Sequence, residues 1–289
     1  MRFGVVILPE HRWPEAAPRW RRAEALGFAH GWTYDHLAWR SLRDRPWFGA
    51  LPTLGAAALV TERMRLGTLV ASPNFRHPVA LAKEVMTLDD ISAGRLTLGL
   101  GAGGTGWDAT MLGQSPLSPA ERADRFDEFV ELTDLLLRQA ETSYAGRVFR
   151  ADGARCHPGC LQRPRVPFAV AATGPRGMRL AARLGQAWVT FGDLATTDML
   201  DGTSGARVVA GQLARLEEAC AAVGRDPRTL ERIVLTGPTL DPGLSSVERF
   251  RDTAGHYEAL GITELVVHWP RPDAPYAADM AVFEAAFSP

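Results

Sequence analysis

The feature that most constrains this chain is a regular alternation of β-rich runs with helical stretches from one end to the other. The expected strands are Phe3–Leu8, His30–Thr33, Arg65–Ala71, Leu96–Leu100, Pro167–Ala172, Ala187–Phe191, Leu230–Thr236 and Glu264–His268. Several are near-continuous apolar runs, the pattern of parallel strands covered on both faces. The expected helices are Pro14–Leu26, Pro52–Thr61, Val79–Ile91, Pro119–Arg138, Arg176–Leu184, Gly205–Val223, Val247–Leu260 and Ala277–Ala286. Proline opens several of them, where a missing N–H costs nothing, and glycine follows Leu26, Leu184, Val223 and Leu260 as a C-terminal cap. This alternation predicts an α/β fold, a (β/α)₈ TIM barrel forming one domain over residues 1–289. A doubly wound sheet is the competitor. It usually carries a glycine fingerprint after the first strand, and here that strand runs into Pro9-Glu10-His11.

One section breaks the alternation. Glu141–Pro167, with TSYAGRVFRAD and then CHPGCLQRPRVP, reads as a hairpin and loop inserted between helix four and strand five, turning at Ala145-Gly146. Its Cys156, His157 and Cys160 invite a zinc reading, but no second Cys or His pair follows at finger-like spacing. With Cys220 the thiols are odd in number, so buried or loop thiols are expected rather than a disulfide framework. The formal charge of −1 offers no basic footprint for nucleic acid. No run approaches the roughly 18 apolar residues that span a bilayer. MRFGVVILPEH reads as a first strand and not a signal peptide, which makes the cytoplasm the expected location.

Polar and glycine residues gather just past the expected strand ends, where ligands bind in parallel α/β folds. After strand two, Asp35-His36 with Trp39 nearby could hold a flat ligand and supply a proton, or could merely cap and fill. After strand three, Ser72 precedes Arg76 and His77, whose simpler reading is loop packing and capping. After strand four, the glycines Gly101, Gly103 and Gly104 lead into Thr105 and Asp108 and suggest close backbone approach to a ligand. After strand five, Thr173-Gly174-Pro175-Arg176-Gly177-Met178 opens a helix. Its N–H groups and the Arg176 charge would suit a phosphate, although an ordinary loop-to-helix junction looks the same.

From Phe3 to about Phe191 the chain resembles the luciferase-like monooxygenase family. The resemblance rests on strand one, WTYDH, SPNFRHP, SAGRLTLGLGAG, PGCLQRP and AATGPRGMRLAARLG, in register. It implies a cofactor, FMN or the deazaflavin F420, and favours the F420-using reductases, including those of specialised-metabolite pathways. It places Asp35 and His36 beside the ring, a non-prolyl cis peptide at Leu69-Val70 or within one bond of it against the ring, and Ser72 on its edge. Gly103 and Thr105 belong to the same implied site, and Thr173 to Met178 would take the phosphate, with Trp188 on the strand beside that turn. His36 is then the leading proton donor, and Asp35 either orients its imidazole or bonds the ring edge. Relatives that oxidise sugar phosphates have a glutamate where this chain has Gly104, so that reaction does not carry over.

The implied activity is hydride transfer between reduced F420 and a small-molecule substrate, as reduction of a C=C or C=N bond, by a homodimer. An FMN-dependent monooxygenase is the alternative. A non-catalytic flavin-binding barrel is a third reading, and a cofactor-independent barrel using His36 and Asp108 as acid and base a fourth.

Overall fold

Apolar strand sequences and proline-opened, side-chain-capped helices account for the elements of the computed structural model, which describes residues 1–193, 196 and 198–288. The strands are β1 (Arg2–Val6), β2 (His30–Thr33), β3 (Arg65–Thr68), β4 (Leu96–Gly101), β5 (Glu141–Ala145), β6 (Arg150–Arg155), β7 (Phe168–Ala171), β8 (Ala187–Thr190), β9 (Glu231–Leu235) and β10 (Glu264–His268). The helices are α1 (Trp13–Ala25), α2 (Ala50–Ala58), α3 (Pro78–Ile91), α4 (Pro119–Arg138), α5 (Pro175–Leu184), α6 (Gly202–Ala222), α7 (Val247–Ala259) and α8 (Met280–Phe287). Eight parallel strands close into a barrel in the order β1-β10-β9-β8-β7-β4-β3-β2, as the alternation predicts. The section that broke the alternation is the antiparallel pair β5–β6, in which Gly146 N–H donates to Phe149 O across the turn.

Most boundaries move by one to three residues, and the cause is local. β3 ends at Thr68, one residue before a cis Leu69–Val70 peptide bond that lies at the place the resemblance implied. α4 matches its expected range because Ser118 and Glu121 form a reciprocal capping box ahead of Pro119. α8 begins at Met280 and not at Ala277, since Asp279 supplies the cap by accepting from the N–H groups of Ala281 and Val282.

Two compact units make up the chain. The first comprises Met1–Leu8, Pro18–Trp32 and Val170–Pro289. Its parallel pairs align Val5 with Val267 and with Gly31, and Phe3, Phe28, Phe250, Phe283 and Phe287 cluster on its helical side. The second comprises Pro9–Ala17 and Thr33–Ala169, with Leu54, Leu66, Leu81, Val85, Leu98, Phe129 and Leu136 buried. There Gln162, past the hairpin, donates to Asp89 of α3 (2.7 Å) and to Leu96 O (2.8 Å), fastening the inserted loop to the core. Cys156, Cys160 and Cys220 are free and buried, and burial pushes all three thiols above their ordinary range. Among the described residues no helix is long and apolar enough to cross a membrane.

Candidate active site

The sequence candidates follow the carboxyl ends of barrel strands: Asp35 and His36 after β2, Ser72 after β3, Gly103 and Thr105 after β4, and Thr173 to Met178 after β7. The groups of the second unit are woven together by contacts far apart in sequence. His36 Nδ1 is hydrogen-bonded to Asp108, which stands on a short 3₁₀ turn, Trp107–Ala109, in the loop after β4. The other Asp108 oxygen accepts from the Leu37 N–H at 2.7 Å, so this carboxylate fixes both the imidazole and the backbone beside it. Trp39 lies against the imidazole, ring centroids 4.4 Å apart, and the Trp47 indole donates to His36 O at 2.8 Å. With Nδ1 committed to a carboxylate, Nε2 is the nitrogen left to exchange a proton.

Of the two roles the resemblance allows Asp35, orienting the His36 imidazole and bonding the ring edge, the structure decides against the first. Both of its oxygens accept from Arg76, Nε at 3.0 Å and an Nη at 2.7 Å, and Arg76 reaches on to Glu84. Asp35 therefore does not orient the His36 imidazole; Asp108 does. Neighbouring residues running out of a strand point to opposite sides, so Asp35 and His36 meet different partners. Burial holds the Asp35 carboxyl above its ordinary range, against the lowering pull of the Arg76 hydrogen bonds and charge. The bidentate geometry favours the ionised pair. Arg76, which from sequence had its simplest role in loop packing, is the ion-pair partner of a site carboxylate.

Ser72 is buried, 2% exposed, and its Oγ has no hydrogen-bond partner among the described residues, which is costly unless something else completes it. It follows the cis Leu69–Val70 bond by two residues. Asn74, equally buried, donates through Nδ2 to Gly104 O at 3.1 Å and accepts from Arg125 of α4. Gly103, at φ +72°, packs on that same amide, where a Cβ would come within 2.7 Å, so only glycine fits. Burial, then the charge of nearby Arg122, holds the Arg125 guanidinium below its ordinary value. Asn74 and Arg125 were not legible as site residues; the buried polar chain that links them to Gly104 forms only on folding. Thr105 is exposed, and Gly104 offers a carbonyl but no acid.

In the first unit, Gly174 is the N-cap of α5 with no side-chain cap bond, and Pro175 occupies the first turn. Met178 N–H donates to Gly174 O at 3.0 Å and its side chain is fully buried. Neither Met178 nor Pro175 can therefore give a backbone hydrogen bond to a phosphate, which corrects the expectation for those two positions. Gly177 is glycine because a Cβ there would come within 2.8 Å of the Ala172 Cβ. The close approach is from a side chain within the fold. Arg176 is exposed, and Trp188 of β8 donates to Ala172 O at 2.7 Å just before the turn.

In the second unit, the orphaned Ser72 hydroxyl and the crowding at Gly103 suit the edge of a cofactor ring; in the first, the start of α5 at Gly174, with no side-chain cap bond, suits a phosphate.

The luciferase-like monooxygenase family pattern matches residues 1–249. An uncharacterised protein of Mycobacterium tuberculosis is 29% identical over 295 residues, 96% of this chain and 95% of its own. An F420-dependent glucose-6-phosphate dehydrogenase of Beutenbergia cavernae is 38% identical over 171 residues, 58% of this chain and 49% of that enzyme. Among solved structures, an F420-dependent secondary alcohol dehydrogenase with an F420-acetone adduct superimposes with a TM-score of 0.81 at 20% identity. It covers 99% of this chain and 97% of its own.

Proposed function

Because the chain belongs to the luciferase-like monooxygenase family of oxidoreductases, we propose that it is an F420-dependent oxidoreductase acting on a small organic substrate by C=C or C=N reduction. Two observations carry this reading: the buried Ser72 hydroxyl, unpartnered among the described residues, and a histidine, His36, already backed by a carboxylate. The F420 dependence of the relatives supports the choice of cofactor.

F420, when bound, supplies a hydride at its C5 position and resists oxygen. Ser72, Gly103 and the Leu69–Val70 segment would hold the ring, and Gly174, Arg176 and Gly177 the phosphate, with Thr173 and Thr105 at the margins. His36 holds a proton at Nε2 and hands it to the acceptor as general acid, while Asp108 keeps the imidazole in one orientation and tautomer. Asp35 is a positioning residue, locking Arg76 and through it the loop after β3. Gly104 leaves no carboxylic acid where sugar-phosphate oxidation would require one, so that activity is not part of the proposal. A cytoplasmic homodimer belongs to the same reading, with sedimentation analysis as its check.

Equilibrium titration with F420 and with FMN tests the proposal. Saturable binding of F420 at least about tenfold tighter than FMN is expected, with a Ser72→Ala variant weakened by about 1 kcal/mol. Preference for FMN would make the protein an FMN-dependent monooxygenase of the same family, and binding of neither would remove the cofactor assignment.

A further inference from the structure

Beyond the histidine lies a pair of cations that the proposed chemistry does not use. The loop after β2 makes a short 3₁₀ turn, Arg40–Leu42, ended by Arg43, whose N–H donates to Arg40 O. Arg40 and Arg43 stand three residues apart, at the two ends of this turn. Each is braced on a tryptophan: the Arg40 guanidinium lies 4.7 Å from the Trp39 ring centroid, and that of Arg43 3.9 Å from Trp107. Those tryptophans belong to the acid site. Trp39 packs on His36, and Trp107 directly precedes Asp108. Both arginines are exposed and, among the described residues, neither forms an ion pair, although Asp44 is the next residue in the chain. Arg40 also has φ +38°, an uncommon conformation for a residue other than glycine that costs about 1–3 kcal/mol and tends to persist at functional positions.

We propose that Arg40 and Arg43 form a carboxylate-binding subsite, so that the substrate is an anion whose carboxylate docks on these guanidinium groups while its reducible bond lies toward His36. Guanidinium groups resting over aromatic rings lose less freedom on binding than free ones, and their planar donors match a carboxylate. The assignment of this carboxylate to the substrate rests on the oxidoreductase reading; the anion site itself rests on Arg40, Arg43 and the two tryptophans.

The probes are cinnamate and its neutral counterpart cinnamamide, titrated into the full-length protein and followed by tryptophan fluorescence, with F420 affinity measured on the same samples. Wild type should bind cinnamate about tenfold more tightly than the amide, with a preference that shrinks as salt rises. The Arg40→Gln/Arg43→Gln variant should lose that preference and keep its F420 affinity, and Arg40→Lys/Arg43→Lys should restore part of it. Equal binding of the two probes by wild type, or a preference surviving in the glutamine variant, overturns the proposal. So does a loss of F420 affinity in the glutamine variant, which would assign the arginines to carboxylates of the cofactor. A wild type that prefers cinnamate but binds no F420 would sink the cofactor reading and leave the anion site standing.

Discussion

Two histidines six positions apart make the same bond to a carboxylate in opposite surroundings. His36 Nδ1 meets Asp108, with side-chain exposures of 18% and 6%; His30 Nδ1 meets Glu264 at 2.6 Å, with exposures of 4% and 0%. Around Glu264 everything is satisfied: the Trp32 indole takes its other oxygen at 3.0 Å, and the Trp32 ring stacks on His30. Burial opposes the Glu264 charge, yet its pairing with His30, the Trp32 bond and Arg2 together hold the carboxyl below its ordinary range. His30 opens β2 and lies inside the fold, whereas His36 lies past the end of the same strand. The lesson is that a histidine–carboxylate pair becomes a candidate acid only where one ring nitrogen can still reach a ligand.

The largest expected effect breaks the pair in the second unit. His36→Ala should lower the turnover number by about 10²–10⁴ while F420 affinity changes little. Near-normal turnover with an unchanged pH profile in His36→Gln would instead make His36 a packing residue. A proton balance sharpens the first unit's side of the comparison. His268, closing β10 and stacked on Tyr276 with centroids 3.5 Å apart, is buried, and burial takes its pKa from 6.5 down to about 3. A depressed folded-state value means stability that is complete above pH 6.5 and drains away as pH falls toward about 3. The loss reaches about 4–5 kcal/mol at the acid end and about 2 kcal/mol at pH 5. Denaturant unfolding of wild type and His268→Gln at pH 7 and pH 5 measures it, and equal acid sensitivity in the two proteins would refute the assignment.

Glu264→Ala should destabilise the protein by about 3–5 kcal/mol, since it strands His30 and Trp32, with turnover per folded molecule unchanged. A catalytic defect larger than the folding defect would erase the contrast drawn between the two histidines. The smallest effect expected is at the phosphate turn. Arg176→Ala should weaken cofactor binding by about 1–3 kcal/mol in an equilibrium titration, and an unaltered dissociation constant would return Arg176 to the surface.

Much of this was legible in one dimension because it is local. Strand runs, proline starts and glycine stops depend on neighbours within a few residues, so β2, β10 and α4 were readable to the residue and the β5–β6 hairpin from its turn. The family motifs likewise located the cis bond at Leu69–Val70 and the candidate turn at Gly174. What the order of residues could not decide is which side chain meets which. Asp108 reaches His36 across 72 positions and Arg76 reaches Asp35 across 41. Met178 spends its N–H inside the helix, and Gly177 yields to Ala172. Secondary structure follows from backbone preferences encoded along the chain. The pairing of buried charges is set only when the closed barrel removes water and leaves each polar group to the partner within its reach.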